Sequence, residues 1–92
     1  MKIETEFGTF LALEEVKSLK GQAVKTRAEL VKLAREGGAE VADDAAVAVL
    51  IVDEEVTYII EDEYSFVFYQ DGLFVPANWE ELATYAAEAL KK

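Results

Sequence analysis

Polar and apolar residues alternate at the start of the chain: Ile3, Thr5 and Phe7 stand between Lys2, Glu4 and Glu6. That period of two predicts a half-buried strand over 3–7, with Gly8 placed for a bulge. From Ala12 the spacing changes. Leu13, Val16 and Leu19 sit at helical intervals and predict a short helix over 12–20 that stops at Gly21.

The next element carries its own boundaries. Thr26 followed by Glu29 is a capping box, in which each side chain satisfies an amide the helix leaves unpaired. Leu30, Leu33 and Ala34 supply an apolar stripe, and Gly37-Gly38 a C-terminal stop, so 27–36 is predicted as a helix. Residues 47–52 are apolar at every position, as expected of a central strand covered on both faces. Alternation resumes with Val56, Tyr58 and Ile60, continues over 64–69, and ends with 73–75. Asp71-Gly72 between the last two runs is a hairpin signal, so 47–76 is predicted to be an antiparallel meander.

Pro76 has no N–H to give a neighbouring strand and ends that pairing. Asn78 and Glu81 suggest a second capping box, opening a helix over 79–90 with Trp79, Leu82, Ala83, Ala86 and Leu90 on one face. The element order predicts one α+β domain over 1–92. Its mixed, mainly antiparallel sheet would join the N-terminal strand to a four-strand meander, packed against two main helices. If strands 3–7 and 47–52 pair, the crossover between them should be right-handed. No internal repeat, linker or low-complexity tract interrupts the 92 residues.

Composition removes whole classes of chemistry. There is no Cys and no His, so thiolate nucleophiles, imidazole bases, disulfides and Cys- or His-ligated metals are excluded. The longest uncharged apolar run, 45–52, is far short of the ~20 residues of a membrane span. Four acids within the first twenty residues argue against a signal peptide, and a cytoplasmic protein with no membrane partner is expected.

Charge is unevenly distributed. Nine cations against nineteen acids give −10 overall. Residues 36–90 contain fourteen acids and no Lys or Arg. In a meander the turns alternate between the two ends of the sheet. Glu61, Asp62 and Glu63 should therefore share an end with Asp43 and Asp44 and with Glu80 and Glu81 at the start of the last helix. Asp53, Glu54, Glu55 and Asp71 mark the other end. Screening acts over about 8 Å, so carboxylates gathered this way repel one another at a cost in stability. That cost is justified if a basic partner uses them; the plain alternative is that they only keep the protein in solution. Of the tyrosines, Tyr58, Tyr64 and Tyr69 are candidates for an outward-facing partner anchor, Tyr64 standing next to the acidic triplet.

Specific chemical sites are weakly supported. Glu61-Asp62-Glu63 and Asp53-Glu54-Glu55 could offer oxygens to a divalent cation, but the Asp-x-Asp-x-Asp-Gly loop pattern is missing. Gly37-Gly38 lacks the Lys-Ser/Thr of a phosphate loop. Direct nucleic-acid binding conflicts with the charge. The reading is a non-enzymatic acidic module without cofactor or metal. It would engage a basic site on a partner protein, a nucleic-acid-binding groove being one such site, as an inhibitor or antagonist. The partner-binding residues are then Asp43, Asp44, Glu61, Asp62, Glu63, Glu80, Glu81 and Tyr64. The alternatives are a structural or assembly subunit that forms homo-oligomers, and a small carboxylate or metal-dependent enzyme.

Residues 33–41 with their Gly37-Gly38, the apolar strand around Leu50, and Gly72-Leu73-Phe74-Val75 ahead of Trp79 resemble a BRCT domain. The resemblance covers roughly 21–90 and implies an interaction module of DNA repair or replication. It also implies a helix within 56–70, where alternation predicts strands. The Ser/Thr-Gly phosphate pocket of that family has no counterpart, since Lys25-Thr26 leads straight into Arg27.

Overall fold

The computed structural model describes residues 1–18 and 24–91. Six strands form one sheet: β1 (Ile3–Thr5), β2 (Gly8–Ala12), β3 (Val47–Val52), β4 (Glu55–Glu61), β5 (Phe66–Tyr69) and β6 (Leu73–Phe74). They lie in chain order β1-β2-β3-β4-β5-β6, and every neighbouring pair is antiparallel. A 3₁₀ helix (Leu13–Ser18) and α1 (Arg27–Glu36) lie between β2 and β3, and α2 (Trp79–Leu90) follows β6. The α+β arrangement and the meander agree with the sequence. Residues 56–70 hold β4 and β5, so the helix implied by the BRCT resemblance is not there.

The N-terminal strand is corrected. What alternation assigns to one strand over 3–7 is a tight hairpin, with Ile3 opposite Phe10 and Thr5 opposite Gly8. Thr5 Oγ1 accepts the Phe7 N–H at 3.1 Å and donates to the Gly8 carbonyl at 3.0 Å, which turns the chain. Gly8 is the first residue of β2 rather than a bulge. It has φ +134°, and a Cβ there would lie 2.6 Å from the Ile51 carbonyl, so only glycine fits. The partner of β3 is therefore β2, antiparallel to it. The handedness rule for parallel crossovers has nothing to act on, and the sheet is antiparallel rather than mixed. Of the predicted helix over 12–20, residues 13–18 form the 3₁₀ helix; Leu19 to Gly21 lie outside the described residues.

Alternation along β2, β3 and β4 divides the core between two faces of the sheet. One face buries Leu11, Val47, Val49, Tyr58 and Ile60 under Leu30, Val31 and Ala34 of α1. The other buries Phe10, Ala48, Leu50, Ile59 and Phe68 under Leu82, Ala86 and Ala89 of α2. The apolar run of β3 follows from this: Val47 and Val49 are buried on the α1 face and Ala48 and Leu50 on the α2 face, as are the β2 and β4 residues beside them, while Val52 at its end is exposed. Tyr58 faces α1, and its hydroxyl accepts the Lys25 N–H at 3.0 Å, tying the entry of α1 to the sheet.

The two helix starts differ. At α1 the capping box is complete: Glu29 N–H donates to Thr26 Oγ1 at 3.2 Å, and the Glu29 carboxylate reaches back to the Thr26 N–H at 3.5 Å. At α2 the expected box does not form. Asn78 has φ −101° and ψ 33°, outside the extended conformation a side-chain cap needs, and makes no side-chain cap bond. Its carbonyl accepts the Leu82 N–H instead, and Trp79 N–H bonds the Pro76 carbonyl, each at 3.2 Å. The stripe of α1 is also shifted, with Leu30, Val31 and Ala34 buried and Leu33 only half-buried. Trp79, expected on the buried stripe of α2, is 41% exposed at the helix start.

Candidate functional site

The β4–β5 loop, Asp62–Ser65, is built around one side chain. Asp62 Oδ1 accepts the Tyr64 N–H at 3.0 Å and the Ser65 N–H at 2.6 Å, and Asp62 N–H closes the loop onto the Ser65 carbonyl at 2.9 Å. Such an Asx turn is held by the side chain of its first residue and puts one residue at its tip. That residue is Tyr64, 90% exposed. The other two candidate tyrosines are corrected: Tyr58 is buried, and Tyr69 packs against the core beneath α1.

Two open concavities meet at this loop. The first, about 660 Å³, lies between the bend after α1 (Gly37, Gly38) and the aromatic edge formed by Phe66, Phe68, Phe74 and Trp79. The second, about 740 Å³, lies between the segment that enters β3, including Asp44, and the end of β4. Glu40, Asp62 and Glu63 line both, and so form an acidic ridge between them. Glu61 and Asp44 add two carboxylates to the second. The Glu61 N–H bond to the Ala46 carbonyl at 2.9 Å brings the end of β4 to the entry of β3, and the pairing of Glu61 with Phe66 holds it beside β5.

Arg35 enters this acidic end from the last turn of α1. Its Nε and Nη2 donate to the Val41 carbonyl at 3.0 and 2.7 Å, and Nη1 pairs with Asp43 Oδ1 at 2.9 Å. Asp43 is therefore a partner of Arg35 rather than an unbalanced charge, though the pair is exposed and weakly stabilising. Glu80 and Glu81 are exposed in the first turn of α2, where the helix dipole favours them, and line neither concavity. The structure thus brings together Asp44, Glu61, Asp62, Glu63 and Tyr64. It adds Glu40, which sequence spacing did not single out because it lies in a loop whose path is set by Arg35 and the Gly37-Gly38 bend.

Among the described residues, no group of three or more acidic side chains is arranged to hold a metal ion. No helix among them is long and apolar enough to cross a membrane. Glu15 has its carboxyl held below the ordinary value, first by its hydrogen bond with the terminal ammonium (2.7 Å) and then by the Ala12 N–H (2.9 Å). It lines neither concavity at the ridge. Comparison of the chain with protein-family models, with curated proteins and with solved structures finds no match.

Proposed function

We propose that this chain is a non-enzymatic binding module that presents its acidic ridge to a basic surface of a partner protein and blocks that surface. The observation that carries the reading is the juxtaposition of Glu40, Asp62 and Glu63 with the fully presented Tyr64. Carboxylates repeated along a ridge can occupy a cationic groove that otherwise holds phosphates, and their field accelerates the encounter. A projecting tyrosine offers large contact area at low entropic cost, which acids alone do not provide. The reading places the encounter in the cytoplasm, where a chain without cysteine forgoes nothing.

The test compares two variants of equal charge change: Glu61→Gln/Asp62→Asn/Glu63→Gln, and Asp53→Asn/Glu54→Gln/Glu55→Gln at the far end. Each is used to capture partners from lysate of the source cells at low and moderate salt. The reading expects one basic protein, retained by the parent and the far-end triple, lost by the ridge triple, and released as salt rises. Equal capture by all three, or equal loss from both triples, contradicts it.

A further inference from the structure

We propose that the concavity beside the ridge takes an extended, basic segment of the partner protein. One apolar side chain of that segment would seat between Phe74 and Trp79, with its flanking Lys or Arg side chains against Glu40, Asp62 and Glu63. This rests on the acidic-ridge reading and adds what the ridge recognises.

Three features point to that occupant. The first is an incomplete sheet edge. β6 covers only Phe68 and Tyr69 of β5, and the edge at Phe66 and Val67 extends past its end. Pro76, two residues after β6, cannot donate to prolong the pairing, so a strand from elsewhere is the natural complement.

The second feature is apolar exposure confined to one place. Tyr64, Phe74, Val75 and Trp79 are four of the six large hydrophobic side chains exposed among the described residues, and all four line this concavity. Scattered exposure needs no explanation, but a shared patch around a groove does. The floor is fixed: Leu73 packs so closely on Gly37 that a Cβ there would come within 2.3 Å of its Cδ1.

The third feature selects the partner's charge. Glu40, Asp62 and Glu63 line the groove, and no Lys or Arg among the described residues does. A second copy of this chain would bring the same acids against them, and a phosphate backbone would be repelled. Lys and Arg are attracted both by the carboxylates and by the exposed faces of Tyr64 and Trp79.

Trp79 is the single tryptophan and lines the groove, so its emission reports occupancy. The full chain is titrated with capped synthetic peptides. One alternates Lys and Val; one alternates Lys and Gly at the same charge; one alternates Ser and Val without charge. The expected result is a saturable change in Trp79 emission with the Lys–Val peptide, binding about tenfold or more tighter than Lys–Gly, as burial of one aliphatic side chain provides. Rising salt should weaken it, and N-methylation of its backbone should abolish it. Val75→Lys, at an 81% exposed position, should weaken it about tenfold while leaving the unfolding temperature unchanged.

If Lys–Gly binds as tightly and leaves Trp79 unaltered, the groove assignment is overturned while the acidic ridge stands. If Ser–Val binds as tightly as Lys–Val, the ridge's part in recognition is overturned. Silence of Trp79 towards every peptide, or emission that varies with protein concentration alone, overturns the proposal.

Discussion

β4 ends in an acidic turn at each of its termini, and the two turns are built on opposite principles. At the β3–β4 turn, Asp53 and Glu54 form a two-residue hairpin between the paired Val52 and Glu55, both with positive φ (46° and 72°). Asn-Gly would suit that geometry; the short polar side chain of Asp53 tolerates it, whereas the Cβ of Glu54 strains it. At the β4–β5 loop the acids are relaxed: Asp62 organises the turn, and the tip is handed to Tyr64. One acidic end borders an aromatic concavity, whereas Asp53, Glu54 and Glu55 line neither of the two concavities at the ridge. The contrast teaches that carboxylate count does not define a surface. What distinguishes the two ends is the apolar relief beside the charge.

The largest expected effect falls at the far end. Gly8→Ala places a Cβ against the Ile51 carbonyl at a φ that L residues rarely adopt. It should cost about 3 kcal/mol or more, adding backbone strain to overpacking. Urea unfolding measures it, and a loss under about 1 kcal/mol would mean that the β1–β2 hairpin shifts freely on β3.

Next is Trp79→Ala. A fully buried Trp would cost 3–5 kcal/mol on truncation, but Trp79 is 41% exposed, so about 1–2 kcal/mol is expected. A cost in the buried range would place Trp79 in the core and remove the groove's principal wall.

Glu54→Gly should stabilise the protein by about 0.5–1 kcal/mol, because relief of positive-φ strain outweighs the added freedom of the unfolded chain. An equivalent gain from Glu63→Gly would erase the distinction drawn between the two turns.

The smallest effects are electrostatic. Each neutralised triple should alter stability by no more than about 0.5 kcal/mol, so that any difference in binding reports recognition rather than folding. Glu15 has its carboxyl lowered in the folded state. Its contribution is present above the unfolded value of 4.5 and disappears as pH falls through the lower folded value. Acid titration of Glu15→Gln should lack that portion of the pH dependence.

Much of this architecture is legible in the residue pattern because its causes are local. Thr26 and Glu29 cap α1 with their own side chains, and Asp71-Gly72 lies in the short loop between the paired Tyr69 and Leu73, with Gly72 at φ +127°. The N-terminal hairpin is not legible in this way. Its reversal depends on Thr5 bonding within the turn and on Gly8 lying against a backbone carbonyl more than forty positions away, so alternation runs through the turn unbroken. The same holds for Asn78, whose conformation is set by the Pro76 turn, and for Asp43, whose charge Arg35 balances across the α1–β3 segment. At the candidate site, the acidic triplet and Tyr64 could be read from the chain. Glu40 and the groove could not, because both arise where α1 ends beside β5 and β6.

The strand order has a kinetic consequence. β3 through β6 pair successively across short turns, whereas β2 must find β3 across the whole α1 segment. Contacts that close short loops form with little entropic loss, and those that close long ones form late. The β3–β6 meander should therefore be structured in the folding transition state, with β1 and β2 joining after it. Truncations at Ile59 or Ile60 should then slow folding, while truncation at Ile3 should mainly speed unfolding. An equal division of the effect at both places would mean that the sheet condenses as a unit. On this order, the edge that carries the proposed groove is assembled before the N-terminal hairpin has docked.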